Sequence, residues 1–320
     1  MITLSKIASL ASVSVSTASK AFSMSPDVSD ETRNMIFDIA KSHGVFKKFY
    51  NAKYPKLVVG VVCSNYNNSF FPDILKNIQK KLEEYNCDMC VTSFNTSRDK
   101  EQELYEYYSL YTDVDALITI GKTFDLPKDF LLPRVDISPW NIDPKTPTVV
   151  MNYEIIGDII KNFYNKGVKT IGFITPYERS GKAWKFKKFM KMIYGEYDEE
   201  LIEIVPKDCG ECGYNAAENM IKKGRVPRAI FCERDDIAFG AMRAFYENGL
   251  NVPKDVAVVG WNNVSIGKYS VPTLSTIHLA TNEVISESVS MIIKKLTGQE
   301  CNNYVEIMSS FIERESSVID

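Results

Sequence analysis

The chain has 320 residues, 45 % hydrophobic and 25 % charged, a length and balance that fit a soluble globular protein of two or three domains with ample buried core. No apolar run is long enough to span a bilayer, and Met1-Ile2-Thr3 opens neither a basic n-region nor a long h-region, so no membrane partner and a cytoplasmic location are expected. The net charge of −3 hides an asymmetry: residues 1–56 hold eight Lys/Arg and four Asp/Glu, net +4, while residues 57–320 are net −7, a basic head on an acidic body that suits contact with nucleic acid at one end.

In chain order, Leu4, Ile7, Ala8 and Ala11 fall at helical spacing after a Thr3 cap, which predicts a short helix with one apolar stripe. Ser14 can cap a second helix in which Val15, Ala18 and Phe22 form the apolar side, with Ser16, Thr17, Ser19 and Lys20 on the other. Two short helices across a tight turn describe a helix-turn-helix, whose outward hydroxyls and single amine can reach phosphates and base edges. A solvated helical hairpin without a ligand is the plainer alternative. A third helix is expected from Ser29 or Asp30 to about His43, with acidic residues in its first turn, Met35, Ile36 and Ile39 inward, and Gly44 ending it.

Val45 to Lys56 reads as a connector carrying Lys47, Lys48, Lys53 and Lys56 for phosphates. Phe49, Tyr50 or Tyr54 serve there as a wedge or pack against the next domain, and Pro55 disfavours helix at Tyr54. From Leu57 on, β-branched runs alternate with amphipathic helices, the mark of parallel α/β architecture. The expected elements are Leu57–Cys63, Phe71–Tyr85, Cys90–Phe94, Arg98–Tyr111 and Ala116–Gly121, then a second round. That round runs Thr170–Thr175, Lys182–Tyr194, Leu201–Val205, Gly213–Lys223, Ala229–Cys232, Asp235–Asn248 and Val256–Gly260, with Leu274–His278 and Phe311–Arg314 as crossover segments. Two rounds imply two similar lobes facing across a cleft.

The opening, T-L-x-x-I-A-x-x-A-x-V-S-x-x-T-x-S-K, with Val28 to Arg33 after it, resembles the DNA-binding headpiece of the LacI/GalR (lactose-repressor) family. The body continues the likeness in Asn68-Ser69-Phe70-Phe71, Gly167 to Ile171, Pro227 to Gly240, Val252 to Gly260 and Leu274 to Ile277. The resemblance implies an α/β chain: an N-terminal three-helix helix-turn-helix headpiece (1–46), a hinge (47–56), and a two-lobed periplasmic-binding-protein-like domain of parallel sheets. Its N-terminal lobe would comprise 57–151 plus 279–311 and its C-terminal lobe 152–278 plus 312–320. It implies DNA binding through Val15, Ser16, Thr17, Ser19, Lys20 and Arg33, joined by Lys47 and Lys48, with Lys20 where Arg is usual and Ser12 where the turn normally has Gly. The family's hinge-helix motif is missing from 47–56, which puts hinge-dependent bending in doubt.

The resemblance also places an effector at Phe70, Phe71, Arg179, Lys185, Asp208, Asp235 and Asn262. Loss of a carboxylate at Asn262, with Arg179, Lys185 and Arg234 nearby, points to an anionic group on a sugar-like effector. The expected function is a transcriptional regulator of repressor type, a homodimer on a pseudo-palindromic double-stranded operator, controlled by a small effector. A cytoplasmic sensor with a non-DNA partner or a degenerate cleft is the alternative. Two C-x-x-C pairs, Cys87/Cys90 and Cys209/Cys212, lie more than a hundred residues apart and read as reduced thiols rather than a zinc or redox centre, with Cys87 in a turn. No catalytic motif is present, His43 and His278 fall in different domains, and neither a metal nor a cofactor is expected.

Overall fold

The computed structural model describes residues 2–45, 49, 56–64, 70–95, 97–110, 114–121, 130, 132–138, 146–176 and 180–319. Backbone contacts divide the chain into two units, Met1–Lys56 and Leu57–Asp320.

In the first unit, three hydroxyl caps start three helices. Thr3 accepts from the Lys6 amide (3.3 Å) ahead of α1 (Leu4–Leu10), and Ser14 accepts from the Thr17 amide (2.9 Å) ahead of α2 (Val15–Phe22). Ser29 accepts from the Thr32 amide (3.3 Å) ahead of α3 (Asp30–Ser42), which Gly44 ends at φ +67°. Ile7, Ala11, Ala18, Phe22, Ile36 and Ala40 form the core, and the small alanines let the helices meet closely. Two residues expected inside face solvent instead: Val15 at 46 % exposure and Met35 at 44 %. Val15 opens its helix before the inward stripe of Ala18, Ala21 and Phe22 begins. The stripe of α3 centres on Ile36 and Ala40, about 100° around the helix from Met35.

The second unit alternates strands and helices. Its first half contains β1 (Leu57–Cys63), α4 (Phe70–Glu83), β2 (Cys87–Ser93), α5 (Arg98–Leu110), β3 (Ala116–Ile120), β4 (Arg134–Ser138) and β5 (Thr148–Asn152). There follow α6 (Ile155–Asn165), β6 (Ile171–Thr175), α7 (Gly181–Tyr194), β7 (Ile202–Ile204), α8 (Gly210–Lys222), β8 (Ala229–Cys232), α9 (Asp235–Glu247) and β9 (Ala257–Trp261). The chain closes with β10 (Ser275–His278), α10 (Thr281–Leu296), β11 (Tyr304–Met308) and β12 (Ser310–Ile312). β4, β5, α6, α10 and β11 add to the elements expected from sequence.

Two six-stranded sheets result, ordered β11-β5-β4-β3-β1-β2 and β12-β10-β9-β8-β6-β7. The orders correspond strand for strand, so one doubly wound unit is laid down twice. Every pairing is parallel except β10 with β12. The runs A-L-I-T-I in β3 and I-G-F-I-T in β6 are buried at every residue, as expected where helices cover both faces. The sheets are joined at Tyr153–Glu154, at Leu279–Ala280 and at Ser309. Leu274–His278 and Phe311–Arg314 therefore supply strands to the second sheet, with His278 opposite Ser310, rather than serving as the crossings themselves.

Candidate functional site

α2 presents Val15, Ser16, Ser19 and Lys20 to solvent, with Thr17 half-buried. The Ser14 and Thr17 hydroxyls lie 2.8 Å apart, so the cap also steadies Thr17. Lys20 Nζ sits 2.8 Å from the Asp27 carboxylate in an exposed pair, and the hydrogen bond and charge of Lys20 hold Asp27 below the usual carboxylate range. Such a pair is weakly held in water and its amine can be given up to another acceptor. Arg33 is different. Its side chain is only 11 % exposed, pairs with Asp30, and donates from Nη2 to the carbonyls of Ser25 (2.9 Å) and Val28 (2.7 Å). It clasps the loop between α2 and α3 instead of reaching outward to a phosphate. Lys47 and Lys48 lie outside the described residues.

In the body, the carboxyl ends of the strands converge, the usual place for a ligand in open parallel sheets. Glu233, just after β8, is buried; it accepts from the Thr175 hydroxyl and from the Ser180 hydroxyl (2.9 Å). Lys182 enters from the first turn of α7. Its Nζ donates to the Glu233 carbonyl (2.9 Å) and lies 4.4 Å from the centre of the Trp261 ring, which Tyr153 meets edge-on. Burial pulls the Lys182 amine well below the ordinary lysine range, against the opposing field of Glu233.

Arg234 Nε stands 2.6 Å from Asp208, and its guanidinium lies 5.9 Å from the ring of Phe70 on the first lobe. Asp235 is fully buried: Oδ1 accepts from the Thr276 hydroxyl (2.7 Å) and Oδ2 from the Val264 amide (2.8 Å). Burial pushes its carboxyl up to about 7 despite those donors. A cavity of about 190 Å³ opens between the lobes, with Phe70, Asp73 and Asn77 on one wall and Asn262, Asn263 and His278 on another. Asn262 is 7 % exposed, takes φ +102°, and its Oδ1 is buried without a hydrogen-bond partner.

Residues 3–45 match the model for bacterial regulatory proteins of the lacI family, and residues 160–317 match a periplasmic binding protein-like domain. The chain thus joins a lacI-family headpiece to a periplasmic binding protein-like domain. Similar relatives span its whole length. The HTH-type transcriptional regulator RegA of Clostridium saccharobutylicum is 25 % identical, over 98 % of this chain and 98 % of that one. The HTH-type transcriptional repressor PurR of Salmonella paratyphi A (strain ATCC 9150 / SARB42) is 26 % identical over 99 % and 97 %. Among solved structures, the lac repressor dimer bound to operator and the anti-inducer ONPF superposes with TM-score 0.72 at 19 % identity, covering 99 % of both chains. The transcriptional regulator CelR–cellobiose complex gives 0.71 at 20 %, covering 99 % of this chain and 100 % of that one. The chain is a DNA-binding transcriptional regulator.

Of the effector residues expected from sequence, the fold brings Phe70 and Asn262 together on the cavity, and Asp208 to Phe70 through Arg234. Phe71 packs into the first lobe's core beside Phe70, their rings 5.5 Å apart. Asp235 faces inward as a tie between α9, β10 and the loop after β9. Lys185 turns to Glu154 at the start of α6. Arg179 lies outside the described residues. Sequence reading missed Lys182, which entered only as the start of an expected helix. The signal was there: Lys182, Phe186 and Met190 recur every four residues and all are buried, which puts the lysine on the inward stripe of α7. Lys187 behaves as a surface residue, paired with Glu199 at 3.2 Å. Cys87 and Cys90 both lie within β2, not in a turn. Among the described residues no three His, Cys, Asp or Glu side chains converge as a metal set, and no helix is long and apolar enough to cross a membrane.

Proposed function

We propose that the chain is a sequence-specific repressor that binds a pseudo-palindromic operator as a two-fold dimer, with α2 of each headpiece in a major groove. Val15, Ser16 and Lys20 read base edges, while Thr17 and Ser19 hold the backbone. The observation that carries this reading is the outward set on α2, an exposed valine, two serines and a releasable lysine on a helix fixed by its own cap. The lac repressor structure named above holds operator as a dimer, which supports the same arrangement here.

A small effector between the lobes controls operator affinity by binding one lobe arrangement better than the other. The described cations favour a neutral, hydroxyl-bearing effector over the anionic one that Asn262 and the cations near it suggest from sequence. Lys185 is paired with Glu154, Arg234 with Asp208, and Lys182 is enclosed against Trp261 and the Glu233 carbonyl. An anion held by any of these described cations would have to break one of these contacts, whereas a hydroxyl can donate to the unmatched Asn262 Oδ1. CelR, of the same fold, carries cellobiose. Calorimetry with neutral sugars and their phosphates separates the two classes. The neutral compound should bind at least about tenfold tighter, and a phosphate that binds tighter than every neutral sugar would reject the assignment. Gel shifts against a genomic fragment library test operator binding itself, and failure to retain any fragment would reject the repressor reading.

A further inference from the structure

Cys209 and Cys212 stand apart from the rest of the chain's cysteines. Cys209 is the N-cap residue of α8 and Cys212 its third helical residue, and their sulfurs are 2.8 Å apart. That spacing is the one at which a capping side chain and the residue three further on fold back toward each other over the first turn. Here both are thiols. Cys209 is half-exposed and Cys212 is buried beneath it.

We infer that Cys209 and Cys212 form a reversible disulfide that resets the mouth of the cleft. Cys209 Sγ, as thiolate, attacks one sulfur of a low-molecular-weight disulfide such as oxidised glutathione. A mixed disulfide forms and one glutathione thiolate leaves, taking up the proton that Cys209 released. Cys212, after giving its proton to the second leaving glutathione, closes on Cys209 Sγ. The protein loses two electrons and two protons, and one external disulfide becomes two thiols. Burial and then the neighbouring Cys209 hold the Cys212 thiol above its ordinary range, which suits it to the second step rather than the first.

The position gives the bond something to act on. Asp208, next to Cys209, is the carboxylate that pairs with Arg234. α8 and α9 touch backbone to backbone there: a Cβ on Gly240 would overlap the Gly210 carbonyl oxygen, and one on Gly213 would overlap that of Ile237. A shift in the first turn of α8 is therefore passed to the start of α9, where Arg234 faces Phe70 of the other lobe.

The test treats the full chain with oxidised glutathione under native conditions, followed by alkylation and peptide mass mapping. The peptide holding both cysteines should lose about 2 Da, regain it with a dithiol reductant, and do neither in Cys212→Ser. Persistent alkylation of both thiols, or a mixed glutathione disulfide that never resolves in the native chain, overturns the inference. Operator affinity should change about fivefold or more between reduced and oxidised chain, with Cys212→Ser unresponsive. Equal affinity of the two forms removes the coupling to the cleft. Only this last readout rests on the repressor reading: loss of DNA binding in the reduced chain counts against that reading, and the mass measurement is independent of it.

Discussion

Ser12 holds the turn between α1 and α2 at φ +53°, a conformation that costs an L-residue about 1 kcal/mol and glycine almost nothing. Ser12→Gly should stabilise the headpiece by about that amount, read as a higher urea midpoint for helix loss; a lower midpoint would show that the serine side chain contributes more than its backbone costs. Asp235 makes a pH prediction. The folded carboxyl keeps its proton to about pH 7, whereas the unfolded one releases it near 3.8. Its stabilisation is therefore full below about pH 4 and lost as pH rises through about 7. Asp235→Asn stays neutral throughout and should flatten that part of the melting temperature against pH; an unchanged slope would contradict burial as the dominant influence. Lys182→Met should leave body stability within about 1 kcal/mol, because removing a desolvated amine offsets the lost bond to the Glu233 carbonyl. A loss several times larger on thermal melting would make Lys182 a net structural anchor.

At the scale of elements, α2 and α3 divide the labour that sequence alone had merged. Lys20→Ala should leave folding unchanged and lower affinity for the selected site far more than for random DNA, by about 1–3 kcal/mol. Equal loss on both, in parallel titrations, would remove Lys20 from base reading. Arg33 looked like a DNA contact because the headpiece likeness places one there. Two of its three internal contacts are to the loop at Ser25 to Val28, whose carbonyls turn inward only once α3 is packed, and no local spacing announces them; the third is Asp30, three residues before it on α3. The helix-turn-helix was legible because its caps and its 3.6-residue period are local properties. The parallel strands were legible as apolar runs. β4 was harder because Arg134, Asp136 and Ser138 interrupt its apolar run, β5 because only three apolar residues stand between Thr148 and Asn152, and β11 because it alternates exposed with half-buried residues at the sheet edge. The cleft was legible residue by residue but not pair by pair. Asp208 and Arg234 are 26 positions apart, and only the meeting of the β7–α8 and β8–α9 loops makes one neutralise the other.

For the whole molecule, a basic headpiece and an acidic body restrict attraction for a polyanion to one end. Operator binding should therefore weaken steeply with salt, with log affinity falling by about 0.9 per phosphate neutralised for each unit of log salt. The decisive measurement is a pair of anisotropy titrations of the full chain across rising potassium chloride, one with a duplex recovered by selection and one with its scrambled counterpart. If α2 reads bases, the selected duplex binds about a thousandfold tighter at physiological salt, and both lines slope downward. Indistinguishable affinities for the two duplexes, or no binding of either at low ionic strength, would contradict it.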